Sequence, residues 1–183
     1  MPEGPEIRMN SMFINGICKD KSFNGKPEKS LVHKSSEILF NSGGYTISST
    51  SRGKELSLVL QCQENSSNRV RILFRFGMTG KFVFTCEEDV PKHAHLKFFS
   101  VCDGKKYVLS FVDSRRFGSW QIVDDGWGDK RGPDIIDEYD AFKKNIFENL
   151  QQSAFHQPIC ECLLNQEYFN GIGNYLRAEI LYR

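Results

Sequence analysis

Val70-Arg71-Ile72-Leu73-Phe74-Arg75-Phe76 is the stretch that decides the fold of this chain. Val70, Ile72, Phe74 and Phe76 take alternate positions, with Arg71, Leu73 and Arg75 between them. Successive strand side chains point to opposite faces, so a period of two predicts a strand with one face on a core. The same period runs from Tyr45 to about Val123. Leu56–Leu60, Lys81–Phe84, Leu96–Val101 and Tyr107–Val112 read as further strands, and Asp103-Gly104 between the last two is a hairpin signal. Several short strands divided by turns predict an antiparallel sandwich or barrel.

On either side the period becomes helical. Ile7, Met9, Met12 and Phe13 mark a helix over residues 5–16 behind the Pro2 terminus. A loop at 124–134 is punctuated by Gly126, Gly128, Gly132 and Pro133. Beyond it, Tyr139, Phe142, Ile146, Phe147 and Leu150 share one face of a helix over 137–152. A short apolar helix follows Pro158, then the turn Asn170-Gly171-Ile172-Gly173-Asn174, then a helix from Tyr175. The expected class is α+β: an N-terminal helix and antiparallel β-sandwich over 1–130, and a helical domain over 131–183.

Composition narrows the function classes. The chain has 183 residues, 39% hydrophobic and 13% aromatic, enough to bury a core. No apolar stretch approaches the ~20 residues of a membrane span, and a terminus with Glu3 and Glu6 is no secretory signal. The six cysteines, Cys18, Cys62, Cys86, Cys102, Cys160 and Cys162, lack paired zinc spacing. They read as reduced thiols of an intracellular protein, with Cys160 and Cys162 in a helical core. Net charge is only +1. Its distribution is uneven: residues 50–82 hold six Lys/Arg against two Glu, residues 104–120 four against Asp113, and residues 121–140 seven acids against two bases. One-sided charge steers a polyanion, and an ordinary solvated surface can carry it equally.

Candidate chemistry lies in five places. Removal of Met1 would leave a secondary amine on Pro2. An α-amino group titrates near about 7.7–8.0, so part of it is unprotonated at neutral pH and can form an imine with a sugar carbon. Glu3 places a carboxyl beside it for acid–base work. Ser51-Arg52-Gly53-Lys54-Glu55 is a turn from which Lys54 can reach a phosphate or simply water. Phe76-Gly77-Met78-Thr79-Gly80 and Asp113-Ser114-Arg115-Arg116-Phe117-Gly118 set a bulky residue beside glycine in a turn. Such residues serve as wedges between base steps or as core. In Asn170–Asn174, Asn174 is a candidate N-cap, and a glycine turn opening a helix offers free N–H groups to an anion such as a DNA phosphate. A plain packing turn fits it as well. His93 and His95, two apart on a strand, have metal-like spacing but no third ligand nearby, which favours structural roles.

Taken together and in this order, these segments resemble the Fpg/Nei family of DNA glycosylases/AP lyases. Phe74–Met78, Pro91–Leu96 and Phe169–Arg183 are most similar to its animal endonuclease VIII-like 1 branch. The resemblance covers essentially the whole chain. It implies a base-excision-repair glycosylase with β,δ-elimination activity on oxidised bases. Pro2 is then the Schiff-base nucleophile, Glu3 the proton shuttle, and Lys54 a phosphate-side catalytic residue. It also implies that Glu6 lies near the flipped nucleotide, that Met78, Arg115 and Phe117 fill the void left by the extruded base, and that Asn174 holds phosphate in a helix–two-turns–helix motif. The implied partner is damaged DNA, duplex or single-stranded, bound by a nuclear monomer without membrane attachment, metal or cofactor. No nuclear targeting signal is visible. The family continues past this point into further helices and a β-hairpin finger, so the expectation is a C-terminally truncated form. Its alternative is an inactive damaged-DNA-binding protein, and an unrelated β-sandwich interaction protein is the third reading.

Overall fold

The computed structural model describes residues 1–183. Helix α1 (Gly4–Cys18) precedes eight strands: β1 (Phe23–Lys29), β2 (Tyr45–Arg52), β3 (Glu55–Cys62), β4 (Arg69–Arg75), β5 (Lys81–Cys86), β6 (Ala94–Cys102), β7 (Lys105–Val112) and β8 (Ser119–Val123). Three helices follow, α2 (Tyr139–Asn149), α3 (Ile159–Cys162) and α4 (Asn174–Tyr182). No helix is long and apolar enough to cross a membrane.

The strands form one antiparallel sheet in the order β5-β7-β6-β1-β2-β3-β4-β8. It folds over on itself at β1. That strand pairs with β2 only at Phe23↔Tyr45, its register against β6 shifts between Asn24 and Glu28, and Gly25 takes φ +73° within the shift. A bulge with a left-handed glycine bends a strand sharply, which turns one sheet into two layers. Aromatic rings then meet between strands far apart in the sheet order: Phe74 of β4 lies 5.0 Å from Phe82 of β5 and 5.2 Å from Phe111 of β7, centroid to centroid. Each such buried phenylalanine contributes about 2 kcal/mol relative to exposure. The expected alternation of β4 holds for Ile72 and Phe74 in the core and Arg71 and Arg75 off it, but Leu73 between them is buried as well, on the opposite face. Asp103 (φ +50°) and Gly104 (φ +72°) make the two-residue β6–β7 hairpin with paired left-handed residues, as a primed turn requires.

Each edge strand takes a side-chain hydrogen bond from outside the sheet. Phe82 of β5 donates its N–H to Asn10 Oδ1 of α1 at 2.9 Å, and Trp120 of β8 donates its N–H to Ser35 Oγ at 3.0 Å. Helix α1 also packs on β2 through Ser11, Asn15 and Ser49. Its buried stripe is Gly4, Ile7, Ser11, Ile14 and Cys18.

Several expectations need correction. Strand β1 falls outside the anticipated β region because Phe23–Lys29 carries a glycine, a proline and three charges rather than an alternating apolar pattern. Met9, Met12 and Phe13 of α1 are exposed, since the stripe that spacing Ile7 to Ile14 defines passes them by. Helix α2 is shorter than 137–152 and buries none of its residues fully. Of the cysteine pair, Cys162 is buried and Cys160 only partly so. All six cysteines are free thiols.

Candidate nucleic-acid interface and N-terminal site

Glu3 is 1% exposed, and the structure brings it to the start of α4. Its carboxylate accepts the N–H of Gly173 at 2.7 Å, of Tyr175 at 3.0 Å and of Leu176 at 3.2 Å. The first N–H groups of a helix lack intrahelical partners and carry the positive end of its dipole, so a carboxylate is a natural cap there. Here the cap comes from the third residue of the chain. This corrects the expectation for Asn174. It is the first helical residue, exposed, with Gly173 at the N-cap position and no side-chain capping bond. Three N–H groups at this helix start, those of Gly173, Tyr175 and Leu176, are engaged by Glu3.

Glycine at 173 has a steric reason, because a Cβ there would collide with the Glu3 carboxylate. Gly4 in turn donates its N–H to Gly171 O at 2.9 Å. Pro2 is half-buried at the terminus that these contacts pin. Glu6 reaches back to accept the Glu3 N–H at 2.9 Å and also accepts the Tyr175 hydroxyl at 2.7 Å. Partial burial alone would push the Glu6 carboxyl up. The Tyr175 hydroxyl and the Glu3 N–H outweigh it and leave Glu6 below its ordinary range. Burial and the same hydrogen bond push the Tyr175 phenol up. In the sequence Tyr175 is legible only as the start of a helix, and nothing in its neighbours marks it as a partner of Glu6.

Lys54 sits at the tip of the β2–β3 hairpin, after Gly53 at φ +55°. Burial lowers its amine below the ordinary lysine value, attraction by Glu3 works against this, and repulsion by Arg131 adds to it. Lys54 and Glu3 thus belong to one electrostatic neighbourhood although they lie on different elements. The hairpin tip is fixed by three hydrogen bonds. Gly53 donates its N–H to Asp134 Oδ2 at 2.5 Å, Arg52 Nε donates to Glu138 Oε2 at 2.5 Å, and Arg52 Nη1 donates to Arg131 O at 3.3 Å, while Asn170, which donates Nδ2 to Gly132 O at 2.8 Å, packs on Gly53. Glu55, fully buried, accepts from Arg75 Nε at 2.8 Å and from the Gly128 N–H at 2.9 Å. A Cβ on Gly53 would strike the Asn170 amide. Asn170, rather than Asn174, is therefore the buried asparagine of the turn.

Met78, Arg115 and Phe117 are all exposed, Phe117 to 61%, which removes the core reading of Met78 and Phe117. Their turns touch. A Cβ on Gly77, at φ +60°, would lie 2.6 Å from the Gly118 nitrogen and from the Phe117 carbonyl carbon. His95 is a buried structural residue whose Nε2 meets Asp113 O at 3.0 Å. His33 stacks on Trp120 at 4.1 Å between centroids and lies 5.1 Å from His95. No group of three or more His, Cys, Asp or Glu side chains is placed to hold a metal ion.

Residues 1–120 match the family model described as Formamidopyrimidine-DNA glycosylase N-terminal domain. Endonuclease 8-like 1 of Homo sapiens is 47% identical over 186 aligned residues, which cover 100% of this chain and 47% of that protein. Endonuclease 8-like 1 of Mus musculus is 48% identical, with 100% and 48% covered. The chain thus spans about half the length of these relatives. The crystal structure of the MutM (Fpg) protein from Thermus thermophilus superposes with a TM-score of 0.71 at 26% identity, covering 100% of this chain and 64% of that one. With the matched helix-plus-sheet unit and identity to the animal proteins over its whole length, this chain belongs to the Fpg/Nei family, the formamidopyrimidine-DNA glycosylases and their endonuclease 8-like relatives.

Proposed function

We propose that this chain carries the catalytic part of a base-excision-repair DNA glycosylase with AP lyase activity on oxidised bases. The single observation that carries the reading is the N-terminal constellation. Glu3 is held at the start of α4 by the Gly173, Tyr175 and Leu176 N–H groups, which places Pro2 one residue away along the chain, and Glu3 attracts the charge of the depressed Lys54 amine.

In this reading the Pro2 nitrogen, freed of Met1, attacks C1′ of the damaged nucleotide. The C1′–N bond breaks, and the base leaves with the electron pair and a proton. Sugar-ring opening, with Glu3 supplying the proton to the ring oxygen as its bond to C1′ breaks, gives a C1′ iminium ion with the Pro2 nitrogen. Loss of a 2′ proton to a nearby base expels the 3′ phosphate, and a second elimination expels the 5′ phosphate. Lys54, a half-buried amine below its ordinary value, is suited to hold phosphate when charged and to take a proton when neutral. Met78, Arg115 and Phe117 form the exposed apolar and cationic surface that fills the gap in the stack. Asn174, exposed at the first turn of α4, and Glu6, tied to Tyr175 and to the Glu3 N–H, lie beside the Glu3 site, where the first would hold phosphate and the second would face the flipped nucleotide. The partner is damaged DNA, duplex or single-stranded, and the protein acts as a nuclear monomer. The β-rich unit of 1–130 supplies the chemistry and 131–183 the helical clamp.

A second reading, an inactive damaged-DNA-binding protein, is favoured by one observation: both Glu3 oxygens are engaged by backbone N–H groups. Borohydride trapping on an oligonucleotide with an abasic site, followed by mass spectrometry of the adduct, separates the two. An adduct on Pro2 is expected. Trapping that persists with Met1 retained, or an adduct on another residue, would overturn the assignment. Binding without any adduct by the folded, processed chain would establish the second reading.

A further inference from the structure

Two turns of this fold are joined by a buried carboxylate. Asp113 is 0% exposed at the end of β7. It accepts the Thr79 hydroxyl on Oδ1 in a short hydrogen bond, the Gly118 N–H on Oδ2 at 2.7 Å and the Arg115 N–H on Oδ1 at 3.3 Å. Thr79 Oγ1 also accepts the Arg115 N–H at 3.2 Å. Thr79 belongs to the turn that exposes Met78. Arg115 and Gly118 bracket the turn that exposes Phe117. The carboxylate therefore bonds to both turns at once, and the backbone at Phe117 and Gly118 comes too close to Gly77 for that residue to bear a side chain.

Strain is held in the same place. Arg116 adopts φ +56°, a left-handed conformation unfavourable for a residue with a Cβ, in a turn whose Arg115 and Gly118 N–H groups bond the Asp113 carboxylate and whose Arg116 N–H bonds the Asp113 carbonyl. Beneath the carboxylate, His95 bonds the Asp113 carbonyl and the His93 carbonyl accepts the Asp113 N–H at 3.0 Å. Burial would push the Asp113 carboxyl up, but the hydrogen bonds from Thr79, Gly118 and Arg115 outweigh it and keep it low. An ionised carboxylate accepts stronger hydrogen bonds than a neutral acceptor does.

We propose that Asp113, through the Thr79 hydroxyl, is the positioning residue that makes Met78, Arg115 and Phe117 a single rigid wedge. The proposal rests on the reading of these three side chains as the group that fills the void left by an extruded nucleotide. A wedge pre-organised in the free protein meets the base stack without ordering two turns at the moment of insertion, which is where such rigidity raises affinity. Single-stranded DNA has no void to fill, so the latch matters for duplex only.

The test uses Thr79→Val, which removes the hydroxyl with little change of shape, with Thr79→Ser as the restoring variant and Asp113→Asn beside them. The first readout is amide exchange. Thr79→Val should speed exchange at Arg115 and Gly118, and Thr79→Ser should leave it as in the parent. Unchanged exchange overturns the latch, whatever the protein does to DNA. The second readout is binding to one sequence with an abasic site, as duplex and as single strand. Thr79→Val should weaken duplex binding about tenfold, the worth of one hydrogen bond to a charged group, and leave single-strand binding unchanged. Equal weakening on both, or none on duplex, overturns the positioning role. Met78→Ala and Phe117→Ala separate this from failure of the underlying reading. If neither weakens duplex binding, or the parent binds no DNA, the void-filling reading itself is wrong. If both weaken it and their effects are coupled in the parent but additive with Thr79→Val, the wedge acts as one unit as proposed.

Discussion

Glu3 accepts the backbone N–H of Gly173 at 2.7 Å, so the third residue of the chain caps a helix that starts 171 positions later. The contact joins the terminus bearing the proposed nucleophile to the glycine turn of the helical part. It makes the position of Pro2 dependent on how α4 packs.

Glu3→Ala should destabilise the protein by about 2 kcal/mol, the range for losing a helix cap and a charge-assisted hydrogen bond. Urea denaturation measures the loss. Amide exchange should rise at Gly173, Tyr175 and Leu176 together. Gly173→Ala leaves the acid in place but pushes it from the helix start, and should give the same exchange signature. A stability loss without that signature would mean that Glu3 acts elsewhere.

Gly53→Ala should cost about 2 kcal/mol, because φ +55° is unfavourable for alanine and its Cβ strikes the Asn170 amide. Adding Asn170→Ala removes the obstacle, so the double variant should lose less than the sum of the two single ones. Strict additivity in thermal melts would show that the two residues do not meet.

Arg131→Met should raise the Lys54 pKa, because Arg131 repels the charged amine. Glu3→Gln should lower it further, because Glu3 attracts that charge. Competitive labelling of Lys54 with an amine-reactive reagent at mildly alkaline pH reads both. Labelling should slow in the first variant and quicken in the second, and a shift of the same sign in both would refute the shared neighbourhood.

His33 is 3% exposed, and its pKa falls from 6.5 to about 4, mainly by burial and then by the charge of His95. The folded value lies below the unfolded one, so the unfolded chain binds the proton more readily. The stabilisation is present above pH 6.5 and is lost as pH falls from there toward about 4. His33→Phe, which keeps an aromatic ring against Trp120, should flatten the stability profile in that window. An unchanged profile would assign the acid sensitivity to other groups.

Periodicity made the β unit legible wherever a strand had one buried face. Ile72 and Phe74 declared β4 through their neighbours, and Asp103-Gly104 declared its hairpin because left-handed φ values favour those residues. Strand β1 was not legible, because a corner strand with a bulge has no regular face to display. Helix α1 was visible, but Met9, Met12 and Phe13 gave the wrong stripe, since hydrophobicity alone does not say which side meets the sheet. At the site, the exposed Met78, Arg115 and Phe117 could be located by their glycine turns. Asp113, Tyr175, Asp134 and Glu55 could not, because each is defined by a partner on another element.

Sequence alone therefore determined what depends on near neighbours: the alternation of the strands, the glycine-bearing turns, the proline terminus and, through their joint order, the family. Tertiary structure decided what depends on distant ones. Glu3 rather than Asn174 caps α4, Asn170 rather than Asn174 is buried against Gly53, and Asp113 ties two turns together. Local conformational preferences act over a few residues and leave a pattern in the chain. A hydrogen bond between Glu3 and Gly173 leaves none, because only the folding of the sheet and the docking of α4 bring its donor and acceptor together.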